Sequence, residues 1–126
     1  MCGISGIAYS ARGARIAGQE LEAMNSWSRR RGPDDEGYWT GSGVGLAHRR
    51  LSLIDLSTTG HQPMLTADGS TAIVYNGEIY GYHSLRDELA AQGVVFRGRS
   101  DTEVLLAGFQ KWGMECIVAP NAAAAI

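Results

Sequence analysis

A thiol stands at position 2 of this chain, inside the opening run MCGISG. Chain ends are ordinarily mobile and tolerant of change, so a cysteine there has two readings. It is a small buried hydrophobe, or it is a reagent. The second reading requires removal of Met1, which leaves Cys2 with a thiol and a free α-amine. Ordinary pKa values are about 8.5 for the thiol and about 7.7–8.0 for the amine, so moving the proton from sulfur to nitrogen costs only about 1 kcal/mol. One residue then holds nucleophile and base together, which is the logic of N-terminal nucleophiles.

Three further groups could serve the same chemistry. Asn76-Gly77, in the run YNGE, lies between strand-like stretches and reads as a hairpin turn. The same pair could instead offer a side-chain N–H and a backbone N–H to an oxyanion. Arg50 enters the apolar stretch LSLIDL, where a guanidinium needs a partner. That partner is a protein carboxylate or a bidentate substrate carboxylate. Asp101, at the first turn of a helix, either favours the helix dipole or receives an ammonium group. Together these groups match an amino acid: cation and anion for its α-carboxylate and α-amine, thiol and N–H pair for a reacting carbonyl.

His48, His61 and His83 show no metal-ligand spacing, so no metal site is expected. A phosphate-cradling glycine loop is not found either. The net charge of −2 argues against nucleic acid or a membrane surface as the main partner. No apolar run approaches the roughly 18 residues of a membrane span, and no leader segment is read at the start. Two cysteines, Cys2 and Cys116, are too few for a disulfide framework. A cytoplasmic location with reduced thiols is therefore expected.

The elements that must position these groups can be read from periodicity. Residues 2–9 suit a short strand. Leu21, Met24 and Trp27 recur at helical spacing over 19–30, and Gly32-Pro33 ends that helix. RGPDDEG is a loop. GYWT and VGLAHRRLSLIDL, between 37 and 56, are strand-like. Asp68-Gly69 turns between PML and TAIVY. Ser84 is expected to cap a helix running to about Gln92, with Leu85 and Leu89 inward and Gly93 as terminator. VVF is a further short strand. SDTE at 100–103 is a capping box, opening a helix with Val104, Leu105, Phe109 and Trp112 on one side and Gly113 at its end. With 126 residues, no internal repeat and no linker, the chain reads as one α+β domain with mostly antiparallel pairing.

The runs MCGISGIA, RGPDDEG, LAHRRLSLIDLSTTGHQPM, YNGEIYGY and SDTEVLL, in this order, resemble the glutaminase domain of glutamine-hydrolysing asparagine synthetases. That domain is a class II glutamine amidotransferase with the N-terminal nucleophile fold. The resemblance implies an αββα sandwich, two antiparallel sheets between helices, and makes residues 1–126 a partial domain with the synthetase domain absent. It implies that Cys2 attacks the side-chain amide of glutamine, forming a γ-glutamyl thioester that water releases as glutamate. Asn76 and Gly77 would form the oxyanion hole. Arg50 would hold the glutamine α-carboxylate and Asp101 its α-amine. The backbone of Leu51, Ser52, Leu53 and Ile54, together with Glu78, would complete the pocket.

By the same resemblance this domain needs no cofactor, whereas ATP and Mg²⁺ serve the C-terminal synthetase domain, which uses the ammonia to amidate aspartate. Enzymes for other acceptors share this front half, and a non-catalytic glutamine-binding or interaction fragment is the competing class. Homo-oligomer formation is left open. Family members continue after the corresponding tail asparagine with glycine and large apolar residues, whereas Asn121 is followed by four alanines.

Overall fold

A computed structural model describes residues 1–11, 13–52 and 58–114. Leu53, Ile54, Cys116 and the alanine-rich tail lie outside the described residues. The first strand, β1 (Gly3–Ala8), is followed by helix α1 (Gly18–Ser26), strands β2 (Asp35–Thr40) and β3 (Val44–Arg50), and a single 3₁₀ turn, Thr58–Gly60. Next come two short strands, β4 (Met64–Leu65) and β5 (Ala72–Ile73), and helices α2 (Tyr82–Ala91) and α3 (Asp101–Trp112). The α+β expectation holds, and both sheets are antiparallel: β1-β3-β2, and β4-β5.

β3 is the central strand, and its parity decides what faces where. Alternate residues of a strand point to opposite faces. On one face Gly45 lies under helix α1, where a Cβ would meet Ile16 and Leu21. Arg49 also points to this face and pairs with Glu36 across the sheet. On the other face lie His48 and Arg50, both buried. Gly37, opposite His48 in the register, lets the segment His61–Gln62 approach that second face. Helix α3 packs on β4 and β5, and α2 packs on α3. The layers thus run from α1 through the larger sheet to the smaller sheet and α3. Among the described residues no helix is long and apolar enough to cross a membrane.

Several local expectations need correction. Helix α1 stops at Ser26, and its buried residues are Leu21 and Asn25. Trp27 is 89% exposed and Met24 is exposed too. The inward stripe follows Leu21 to Asn25 because Asn25 turns in to donate to the His48 carbonyl (3.4 Å). Asp35 and Glu36 belong to β2 rather than to the preceding loop. Ser84 is not a cap. Gly81, in the left-handed region (φ 72°), precedes α2, and the Ser84 hydroxyl donates back to the Gly81 carbonyl. Leu89 is fully buried and Leu85 half-buried, and Gly93 (φ 90°) follows the helix end as expected.

Val94–Phe96 form no strand, and Val95 is 89% exposed. Ser100 does cap α3, accepting from the Glu103 amide (3.2 Å). The Glu103 carboxylate takes the amides of Arg97 (2.7 Å) and Gly98 (2.8 Å) instead of closing the box on Ser100. This draws Glu103 inward, so the buried side of α3 is Thr102, Glu103, Val104 and Leu106, while Leu105, Phe109 and Trp112 are half-buried.

Gly32 shows why the RGPDDEG loop needs its glycine. A Cβ there would stand 2.6 Å from the Arg50 amide nitrogen and closer still to the Arg49 carbonyl group. Neither atom can yield, because both are backbone of the central strand. Gly32→Ala is expected to lower stability by about 1–3 kcal/mol, read as a reduced denaturant midpoint at unchanged m-value. An unaltered midpoint would contradict the close approach.

Candidate functional site

The antiparallel ladder begins with Gly3 opposite Arg49, which carries Cys2 to the C-terminal end of β3. There the Leu51 amide donates to Cys2 Sγ at 3.4 Å, and the Leu51 carbonyl lies 3.8 Å from the same sulfur. Cys2 is a free thiol and is half-buried. Gly3 allows the approach, since a Cβ there would overlap Ser28. The loop before β2 supports the other side of this contact. Asp34 Oδ2 accepts from the Ser52 amide (2.8 Å), and the Asp34 amide donates to the Arg50 carbonyl (3.0 Å). The terminus is thus held by a sheet and a buttressed loop rather than left to fray.

Cys2 opens into a cavity of about 640 Å³, within the range of small-molecule sites. Its walls include Arg50, Leu51, Asn76, Gly77, Glu78 and Asp101. Six candidate residues, from three separate stretches of the chain, therefore join Cys2 around one space. Ser52 does not line it; its amide is engaged by Asp34. Leu53 and Ile54 lie outside the described residues.

The Asn76-Gly77 pair is not a hairpin turn. Residues 74–81 run outside any strand, and their backbone is held by side chains. The Tyr75 amide donates to Gln62 Oε1 at 2.6 Å. The Ile79 amide donates to Asp101 Oδ2 at 3.0 Å. Asp101 Oδ1 meanwhile accepts from the Thr102 amide (2.8 Å). A carboxylate has about four acceptor positions, so Asp101 keeps capacity on its cavity side.

Sequence reasoning missed Gln62, Thr102, Gly60 and Tyr75, and weighed His48 only as a metal ligand. All five line the cavity. For Gln62 and His48 a signal was present: two polar side chains beside apolar or proline-bounded segments. For Gly60 no sequence pattern pointed to its role. A Cβ at Gly60 would lie 2.7 Å from Arg50 Cζ, so this glycine makes room for the guanidinium. Among the described residues, no three His, Cys, Asp or Glu side chains could together hold a metal ion.

His48 is 1% exposed, and its Nε2 has no hydrogen-bond partner. Burial pushes its pKa below the ordinary imidazole value, and the charges of Arg50 and His61 act in the same direction. A hydrogen bond to the Tyr75 backbone and the charge of Asp35 oppose the shift without cancelling it. The unfolded chain titrates this ring near 6.5, the folded protein lower. Between those values the unfolded state binds more protons, so stability rises with pH and is lost as pH falls below about 6.5. An NMR titration should show the His48 ring changing below pH 6.5. A midpoint at or above 6.5 would contradict its burial as the neutral form.

Comparison with known proteins identifies the family. The family model described as "Glutamine amidotransferase domain" matches residues 1–125. The chain is 44% identical over 117 residues to asparagine synthetase [glutamine-hydrolyzing] 1 of Bacillus subtilis, covering 91% of this chain and 18% of that protein. It is 40% identical over 119 residues to asparagine synthetase [glutamine-hydrolyzing] 3 of the same organism, covering 93% and 19%. A third relative, the amidase chyE of Penicillium rubens, is 39% identical over 127 residues, covering 93% and 19%. The chain spans about a fifth of the length of these relatives. With a free N-proximal thiol on a cavity walled by Asn76-Gly77, Arg50 and Asp101, and a family match over nearly every residue, the chain belongs to the glutamine amidotransferase domain family.

Proposed function

We propose that this chain hydrolyses the side-chain amide of glutamine and supplies ammonia to a synthetase domain that makes asparagine from aspartate with ATP and Mg²⁺. The observation that carries this reading is the Cys2 thiol, held by the Leu51 backbone at the wall of a cavity that also presents a guanidinium, a carboxylate and an Asn-Gly pair. Arg50 meets the α-carboxylate and Asp101 the α-amine, which fixes the amino-acid end. The side-chain amide then reaches Cys2, with Asn76 Nδ2 and the Gly77 amide as donors to its oxygen. Glu78 and the backbone of residues 51–54 complete the pocket. The names of two relatives support asparagine synthesis. The free thiol fits a cytoplasmic setting.

The chemistry follows from one residue carrying two groups. Once Met1 is removed, the Cys2 amine is a base near working pH. With Met1 attached the same nitrogen is an amide and has no useful basicity. The amine takes the thiol proton as sulfur attacks the amide carbon, and returns a proton to the leaving nitrogen. Ammonia departs and a thioester remains. Water adds to the thioester carbon, sulfur leaves, and glutamate is released.

In the whole protein, Cys2→Ala should abolish glutamine-dependent amidation and spare amidation from added ammonia, because only ammonia release passes through sulfur. Equal loss of both activities would overturn the assignment. Gly60→Ala tests the carboxylate end without touching a substrate group. The added methyl displaces the Arg50 guanidinium, which is the far end of a flexible side chain. Glutamine KM should rise roughly 10-fold or more with kcat within a few-fold, while an unchanged KM would remove Arg50 from the binding role.

A further inference from the structure

The segment that carries Asn76 and Gly77 lies outside any strand. Its two flanking amides, at Tyr75 and Ile79, donate to side chains from elsewhere in the chain, Gln62 and Asp101. These two acceptors are joined to each other. Gln62 Nε2 donates to Thr102 Oγ1 (3.3 Å), and Thr102 Oγ1 lies 3.5 Å from Asp101 Oδ1, to which the Thr102 amide also donates. A continuous hydrogen-bonded path therefore runs from the Tyr75 amide through Gln62, Thr102 and Asp101 to the Ile79 amide. It closes around the three residues between them, Asn76, Gly77 and Glu78.

We propose that Gln62 and Thr102 are positioning residues: a buried brace that sets the spacing between the Asn76-Gly77 donors and the N-terminus of α3. Burial gives the brace its stiffness. Gln62 is 7% exposed and Thr102 4% exposed, and buried polar groups that lose a partner leave the other one unsatisfied. Geometry gives it its direction. Gln62 Oε1 can hold the Tyr75 amide only while its Nε2 faces Thr102, since the two ends of one planar amide are fixed relative to each other. Gln62 belongs to the segment that Gly37 admits to the sheet, so the brace also ties the donors to the sheet whose first strand, β1, follows directly on Cys2.

This inference rests on the glutaminase reading for its kinetic consequence. Donors displaced by a fraction of an ångström serve the transition state less well while the amino-acid end stays bound. The substitutions Gln62→Leu and Thr102→Val keep approximate shape and remove the hydrogen-bonding groups. In the whole protein each should lower glutaminase kcat by roughly 10–100-fold, with glutamine KM within about threefold. Thr102→Ser, which keeps the oxygen, should restore most of kcat. The double variant should be little worse than the worse single one, because both cut the same path.

Hydrogen exchange supplies a readout independent of turnover. The peptide covering residues 74–80 should exchange roughly fivefold faster or more in both variants, while the peptide covering β3 is unchanged. Unchanged exchange at 74–80, or additive kinetic losses, would overturn the brace. If the wild-type protein proved inert toward glutamine, the proposed function would fall, and the exchange result alone would still decide for or against the brace.

Discussion

The ladder between β1 and β3 is the constraint around which the site is organised. A terminal thiol is useful only if it returns to one position, and a short free end does not do that. Here Gly3 is registered against Arg49, and the next residue outward, Cys2, meets the Leu51 amide. The loop carrying Gly32 and Asp34 then closes against the same stretch of β3 from the other side. Ladder and loop together turn the most mobile part of a chain into a fixed wall of a cavity.

Strand parity sorts the charges of that wall. In the run His48-Arg49-Arg50 the middle residue must face away from the outer two. Arg49 spends its charge on Glu36 under α1, where it is structural. His48 and Arg50 are sent to the cavity face and are buried there. Burial is costly for both, for opposite reasons. The imidazole responds by staying neutral, whereas a guanidinium cannot lose its proton and must be accommodated, which Gly60 makes possible by lacking a Cβ. On the same face Asp35, opposite Arg50 in the register, pairs with His61.

The opposite wall is built on another principle. Residues 74–81 form no strand, so their amides are not satisfied by a neighbouring backbone. Buried amides still require partners. Side chains from the segment before β4 and from the start of α3 provide them. A wall held by side chains can present Asn76 and Gly77 toward the cavity, as a two-residue hairpin turn paired on both sides could not. The capping residue Ser100 has an indirect part in this, since it fixes the helix start from which Asp101 and Thr102 project.

Much of this is legible in the amino-acid sequence. Residue chemistry alone marked Cys2, Arg50, Asp101 and Asn76-Gly77 as a compatible set, and capping chemistry placed the start of α3, because both depend on local covalent structure and short sequence separations. The same local reasoning failed at Met24 and Trp27, where periodicity promised burial and Asn25 took the inward place through a bond to β3. It read Asn76-Gly77 as a turn or an oxyanion site without being able to choose, since the choice lies with Gln62 and Asp101, 13 and 22 residues away from the amides they hold. It could not see Gly60 or Thr102 at all. A glycine that makes room for a guanidinium, and a threonine that joins two acceptors, have no local signature. Their roles exist only once distant backbone segments are brought to within hydrogen-bonding or van der Waals distance.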